Sequence, residues 1–433
     1  MDERGVALAA PGRPATAGRP ASLFPGWLSW ALAVVPLGFV VIFFAWPVAS
    51  IIGRGLSVGA VTDVLTDPGI RSVAWFTFWQ ATLSTVLTVA VGLPGAYVMA
   101  RYQFRGRRAI LAFVTVPFVL PTVVVGAAFL ALLPASLHDS VWAIIVAHVF
   151  FNYAVVVRTV STIWAHVDPR LEEAARVLGA SRLRAFREVT WPLLRPAVTA
   201  AASIVFLFTF TSFGAVLILG GPRHVTLEVE IYRQTTQLHL DVAAALAVLQ
   251  LVAMTVLLGW WTRSQERRTI ALRLEPEAVT RVRPRTLGQR LTLGANLAFM
   301  AALVALPLFK LVERSVSTPT GYGLDYYRAL GNEGRGTSRA VPPLDTIATS
   351  LRYAVAATVL AVGLGVLAAG AIAYGHGRWR RRLLDTGLML PLGTSAVTIG
   401  FGLFITMDRA PLDLRASWII IPIAHALVAM PFV

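Results

Sequence analysis

Ten apolar runs, most of them roughly twenty residues long, alternate with short polar segments along nearly the whole chain. They fall at 27–52, 75–99, 110–133, 141–163, 197–219 and 242–261 in the first part, and at 291–312, 351–374, 383–407 and 418–433 in the second. Runs of this length suit a helix that crosses a bilayer, because in lipid a helix satisfies all its backbone N–H and C=O groups internally. The pattern predicts an all-α, polytopic membrane protein. The stretch 1–26 before the first run is rich in Pro, Ala, Gly and Arg and reads as a disordered tail. The first run is too long for a signal-peptide core and no small-residue cleavage site follows it, so it is expected to remain as a helix.

Composition supports the membrane reading. The 433 residues are 56% hydrophobic and 14% charged, against about 45–50% and about 25% in an ordinary soluble domain. The absence of cysteine excludes a disulfide framework, a Cys-ligated metal centre and a thiol nucleophile. The net charge of +16 is sided. With the N-terminus in the cytoplasm, the inner segments (the tail, 100–109, 165–196, 262–290 and 375–382) hold 25 arginines, and the outer loops about ten. The positive-inside rule accounts for that imbalance, so the charge calls for no nucleic-acid partner. The lipid bilayer of the cell (cytoplasmic) membrane is the expected environment.

An internal repeat organises the runs. At an offset of 273, Thr85, Val86, Leu87, Val89 and Gly92 meet Thr358, Val359, Leu360, Val362 and Gly365, and Arg105, Arg107 and Arg108 meet Arg378, Arg380 and Arg381. Pro117, Val123 and Gly126 match Pro391, Val397 and Gly400 one residue later, and Ala147–His148 matches Ala424–His425 at offset 277. Six runs separate equivalent positions, so the halves point the same way: a parallel repeat about an axis along the membrane normal, with a central passage as the expected common site. The expected organisation is a tail at 1–26, a first repeat of six transmembrane helices at 27–261, a cytoplasmic linker at 262–290, and a second, incomplete repeat of four at 291–433. The second repeat's last two spans and its counterpart of the 168–196 loop, expected near residue 450, fall past Val433.

The most informative segment is that loop, DPRLEEAARVLGASRLRAFREVTWPLLRP at 168–196. Asp168 suits a helix cap with Pro169 in the first turn. Ala174 and Ala175 let another surface approach closely. Gly179 suits a left-handed helix end. Ser181 is expected to start a second short helix and Pro192 to stop it. The product is a helix–turn–helix outside the bilayer.

Glu173-Ala174-Ala175, then Gly179 after three residues, then Val189-x-Trp191-Pro192 after nine more, resembles the EAA loop of binding-protein-dependent ABC importer permeases. Val in place of Ile and Trp in place of Leu are mild departures. The resemblance implies that the loop couples to a separate ATPase subunit, two copies of which would serve the transporter. It also implies that an extracytoplasmic binding protein delivers the solute and that this chain itself is not an enzyme and holds no cofactor. The double-length form is similar to thiamine and ferric-iron permeases. Phe78-Trp79-Gln80-Ala81, Ala147-His148-Val149-Phe150-Phe151-Asn152 and Thr226–Tyr232 favour thiamine, with iron as the alternative.

The absences agree. A phosphate-cradling G-x4-G-K-[ST] loop is missing, the single lysine being Lys310, and no H-E-x-x-H zinc motif occurs. An ion-coupled secondary transporter is the rival from another class, but the runs carry almost none of the paired carboxylates it would need. Polar residues inside the runs are the candidates for lining the passage: Gln80, His148, Asn152, Thr211, Ser212 and His425. For the two histidines, a helix–helix hydrogen bond that fixes the halves is the other reading. Trp79, Phe150, Phe151 and Phe213 either stack on an aromatic cation or pack.

Overall fold

The computed structural model describes residues 26–57, 66–266, 280–331, 342–373, 378–408 and 412–433, together with 59, 62 and 64. Residues 1–25 of the expected tail and 267–279 of the expected linker lie outside them. Among the described residues seven helices are long and apolar enough to cross a membrane, or eight if one bent pair counts as a span. Two shorter apolar helices, Ala396–Thr406 and Ile420–Phe432, account for the rest of the ten runs.

In the first half, α1 (Gly26–Val40) passes through a π-turn into α2 (Trp46–Gly55), and α3 (Pro68–Arg101) runs back. Then come α4 (Arg107–Val119), α5 (Thr122–Leu132) and α6 (Val141–Trp164). Two short helices, α7 (Arg170–Val177) and α8 (Arg182–Ala185), precede α9 (Trp191–Phe210). The half closes with α10 (Gly214–Leu219), α11 (Leu227–Thr236) and α12 (Leu240–Glu266). The second half supplies α13 (Leu287–Val316), α14 (Pro343–Ala373), α15 (Arg378–Met389), α16 (Ala396–Thr406) and α17 (Ile420–Ala429). The only paired strands among the described residues form a two-residue hairpin, Ser317–Thr318 with Gly321–Tyr322.

Three expected spans are not straight helices. The run 110–133 breaks between α4 and α5, whose axes differ by 100°. Leu120 precedes Pro121, and the proline ring drives its predecessor into the extended conformation seen there (ψ 141). The run 383–407 is interrupted by a short 3-10 turn at Leu390–Gly393, which contains Pro391 and ends at an extended Thr394 (ψ 146). The run 197–219 breaks over 211–213, between α9 and α10. Its helix begins much earlier, at Arg182, and runs 29 residues to Phe210.

Pro192 therefore does not stop the second loop helix as expected. A π-turn at Phe186–Thr190 carries the helix into α9, with Pro192 in its first turn. The carbonyl that the proline ring would crowd, four residues back at Glu188, lies in that wider turn. Pro47 follows the π-turn Val41–Ala45 in the same way.

The first helix of each half packs on the other half. α1 lies against α14 and α15, while α13 lies against α3, α4 and α5. Val40 and Phe44 join Leu364, Ala368, Leu388 and Leu403 in one buried cluster, and Met300 joins Met99, Val114 and Tyr153 in another. At the seam between halves, α16 packs on α2 so closely that a methyl group at Gly402 would stand 2.9 Å from the Pro47 side chain. Within the first half, α3 and α6 form the central pair. Small residues allow that approach: a methyl at Gly92 would come within 2.7 Å of Val156.

Gly92→Ala should therefore destabilise the protein by about 1–3 kcal/mol through overpacking. Gly363→Ala, where a methyl meets nothing within 4 Å, should be neutral or mildly stabilising because alanine is the better helix former. Thermal unfolding of the two variants in detergent checks the contrast; equal effects would remove close α3–α6 approach as the reason for a glycine here.

Candidate functional site

The loop and the polar residues of the spans occupy the two ends of one continuous helix. At the loop, Asp168 Oδ1 accepts the Arg170 N–H at 2.9 Å and starts α7. Gly179 adopts φ +92, the left-handed conformation that a side chain disfavours. Its N–H reaches Arg176 O at 3.0 Å and the Ala180 N–H reaches Ala175 O at 3.1 Å, closing the helix end in a Schellman turn. Ser181 caps α8 by accepting the Arg184 N–H at 3.3 Å. Glu172 then ties the two helices together by accepting the Thr190 hydroxyl at 2.9 Å.

Glu173, Ala174, Gly179 and Pro192 face solvent, while Ala175, Val189 and Trp191 are half-buried. Sequence reasoning missed the apex. Val177 and Leu178 are 86% and 88% exposed, with Leu171 and Leu183 exposed beside them. Two adjacent apolar residues just before the glycine of a polar loop were the available signal. Such a contiguous apolar surface outside the membrane suits a protein partner.

The base of the loop is braced. Arg101, buried at the end of α3, donates to Val167 O at 2.8 Å. Thr280, beyond the undescribed part of the linker, donates to Ala165 O. Val282 pairs with Arg101 and Gln103 in a short parallel bridge, its N–H to Arg101 O at 2.9 Å.

At the far end of the helix the chain unwinds over 211–213. The break lines a cavity of about 350 Å³ walled by α4, α5, α6, α9, α10 and α11 and closed by Ala396 and Val397 of the second half. Irregular backbone at membrane depth is tolerated where it lines a cavity. Side chains satisfy it: the Thr226 hydroxyl donates to Ser212 O at 3.3 Å.

Four of the six expected passage residues meet there: His148, Asn152, Thr211 and Ser212. His148 is buried, with Nδ1 3.1 Å from the Ser84 hydroxyl and Nε2 2.8 Å from that of Ser212. It thus joins α3, α6 and the break at 211–213, all within the first half. Gln80 is buried but lies outside the cavity, donating to Thr77 O and Thr209 O at 3.2 Å each. His425 does not reach the cavity either. It is exposed and bonds its own helix at Ile421 O. The residue equivalent to Ser84 at the repeat offset is Ala357, so the hydroxyl that holds His148 has no counterpart beside His425.

Of the aromatic candidates, Phe151 and Phe213 line the cavity together with Phe118 and Phe208. Trp79 packs edge-on against Phe76, and Phe150 against Phe129. Sequence reasoning also missed Glu228 as a cavity residue. It sits in the first turn of α11, fully buried, with one carboxylate oxygen bonded by Gln250 of α12. Burial pushes its carboxyl up to about 7, against the pull of the Gln250 and Ser395 hydrogen-bonding groups. An acid midway between two apolar positions, Leu227 and Val229, was the available signal.

With this geometry in view, the chain can be compared with known proteins. Residues 92–271, spanning the loop and most of the cavity wall, match the binding-protein-dependent transport system inner membrane component family. The chain is 30% identical over 393 residues to the thiamine transport system permease protein of Brucella abortus, covering 84% of this chain and 68% of that one. The chain belongs to this family. The permease is also 34% identical over 227 residues to a probable molybdenum ABC transporter permease protein of Haloferax volcanii, covering 50% of this chain and 83% of that one. A thiamine permease of Salmonella typhimurium is 29% identical over 445 residues, 95% of this chain and 77% of its own length. In fold, the permease resembles a bacterial ABC transporter that imports the polysaccharide alginate (TM-score 0.50, 16% identity, 56% of this chain and 96% of that one). It is an ABC importer permease, a multi-pass inner-membrane component of all-α fold, and not an ion-coupled secondary transporter.

Replacing His148 by Leu strands two buried hydroxyls, Ser84 and Ser212. The expected loss is about 1–3 kcal/mol of stability, read as a lowered Tm in detergent. The double change Ser84→Ala, Ser212→Ala in the same background should recover part of it. No recovery would mean that the hydrogen-bonded triad is not what holds this region.

Proposed function

We propose that the permease imports thiamine, delivered by an extracytoplasmic binding protein and driven by a separate ATPase that docks on the 168–196 loop. The observation that carries this reading is the loop itself. Its helix–turn–helix is fixed by the Schellman turn and by Glu172, and presents Leu171, Val177 and Leu178 to solvent. Thiamine is favoured as the solute because similarity to the thiamine permeases extends over 84% and 95% of this chain, across both halves, whereas similarity to the molybdenum permease covers half.

The loop connects mechanically to the cavity. The helix that leaves the loop at Arg182 ends 29 residues later at Phe210, beside the unwound segment that lines the cavity. A push on the loop is therefore carried by a stiff rod to the cavity wall. Alternating access needs only that the ATPase bind the two orientations of that rod with different affinity.

In this reading Glu173, Ala174, Ala175 and Gly179 shape the docking surface, and Val189, Trp191 and Pro192 anchor it to the span. Glu173→Lys combined with Gly179→Leu should abolish co-purification with the ATPase while the permease still folds. Val177→Asp should weaken co-purification on its own. Undiminished association in all of them would sink the loop assignment.

We also propose that the N-terminus lies in the cytoplasm, a reading that the arginine distribution supports. Because the chain has no cysteine, single substitutions Arg105→Cys and Tyr326→Cys report sidedness without background. Both positions are exposed. A membrane-impermeant thiol reagent added outside intact cells should label position 326 and spare position 105; the reverse pattern inverts the topology.

A further inference from the structure

We infer that the cavity at the seam of the two halves accepts organic cations and that Glu228 is the residue that selects for positive charge. The inference rests on the importer reading above and adds to it the chemical class of the solute.

The hydrogen bonds around the cavity leave an imbalance. The Thr211 hydroxyl is committed to Leu207 O at 2.9 Å, and the Ser212 hydroxyl and both His148 ring nitrogens are bonded to each other and to Ser84. Asn152 gives its amide N–H to His148 O at 3.0 Å, which fixes the orientation of the amide. What remains without a partner is Asn152 Oδ1 and Glu228 Oε2. Both atoms are acceptors, and both residues line the cavity at 1% and 0% exposure. Ser395 of the second half stands near the Glu228 carboxyl, but its hydroxyl is given to Thr398 at 2.9 Å.

An unpaired buried acceptor costs on the order of 1–3 kcal/mol, and more when charged. Two of them facing one cavity fit a ligand that brings the missing donors. No basic side chain among the described residues forms an ion pair with Glu228. A cationic ligand would supply the countercharge that keeps this buried carboxyl ionised. The walls agree: Phe118, Phe151, Phe208 and Phe213 present rings to the same space, and aromatic faces attract cations.

Other solutes fit poorly. An oxyanion would meet the Glu228 carboxyl and the unpaired Asn152 amide oxygen, both acceptors. A bare metal ion wants a ring of hard ligands, and no group of three or more His, Asp or Glu that could hold one occurs among the described residues. A cavity of about 350 Å³ is at the small end for ligand pockets. It suits one compact, N–H-bearing cation.

The position of Glu228 couples selection to movement. The N–H of Leu227 is held by the Thr77 hydroxyl of α3 at 2.9 Å, and Gln250 of α12 holds the carboxylate. The acid is fixed to the first half while α16 of the second half covers it. Displacing α16 changes access to Glu228 without disturbing its supports.

The test is titration of the purified full-length permease, wild type and Glu228→Gln, with thiamine, with its neutral oxidised form thiochrome, and with molybdate, followed by calorimetry. The expected result is thiamine binding at least tenfold weaker in Glu228→Gln, thiochrome binding equally weak in both proteins, and no molybdate binding. Glu228→Asp, which keeps the charge, should retain the preference for thiamine over thiochrome, and this covers the case of a Gln variant that fails to fold. Thiamine binding that is absent from the wild type or unchanged in Glu228→Gln, or molybdate bound more tightly than thiamine, overturns the inference. Uptake by the assembled transporter separates the two readings. Charge-dependent thiamine binding without thiamine uptake supports the cation cavity and removes thiamine as the transported solute.

Discussion

Between helices in lipid there is no water to expel, so association depends on how closely backbones approach and on whether every buried polar group finds a partner. The permease meets that constraint by exchange. α1 of the first half lies on α14 and α15, and α13 of the second lies on α3, α4 and α5. The halves are clasped at their peripheries by helices that belong to the opposite partner. That clasp leaves the place where α11 meets α16 free to carry a cavity, because the cavity does not itself have to hold the halves together.

Polar satisfaction then decides where the helices break. α9 ends at Phe210, and the unwound Thr211–Phe213 segment is stabilised by hydroxyls from Thr226 and by the His148–Ser212 bond. Gln80 donates to the backbones of Thr77 and Thr209, and the Thr77 hydroxyl accepts the Leu227 N–H at the start of α11 in the adjoining layer. These groups are spent on structure, which is why the two acceptors that are not spent, on Asn152 and Glu228, stand out chemically. The same helix that ends at this network begins in the loop outside the bilayer. A single stiff element therefore joins the surface that a partner can reach to the wall that a solute can touch.

Much of this was legible in the residues because it is local. Twenty-residue apolar runs, the Asp168 cap, the glycine at 179 with φ +92 and the arginine bias each depend on a few neighbours in the chain. The 168–196 loop was readable for the same reason: its caps and its spacing are local. The expected stop at Pro192 was not met, since a proline in the first turn of a helix costs little when a wider π-turn precedes it. The straight spans expected at 110–133 and 197–219 were not met either, because apolar composition records depth in the membrane and not direction.

The sequence alone determined that this is a polytopic helical membrane protein and where the helix–turn–helix at 168–196 lies, because both follow from periodicity, charge and turn chemistry. Tertiary structure decided which of its polar residues share a space. His148 and His425 occupy equivalent positions in the repeat, yet His148 is buried between Ser84 and Ser212, which lie 64 residues from it on either side, while His425 bonds its own helix at Ile421 O. Glu228 lies outside every apolar run, and only the packing of α11 between α12 and α16 carries it into the cavity. A side chain's partners across helices are set by three-dimensional packing over long sequence separations, which no local pattern encodes.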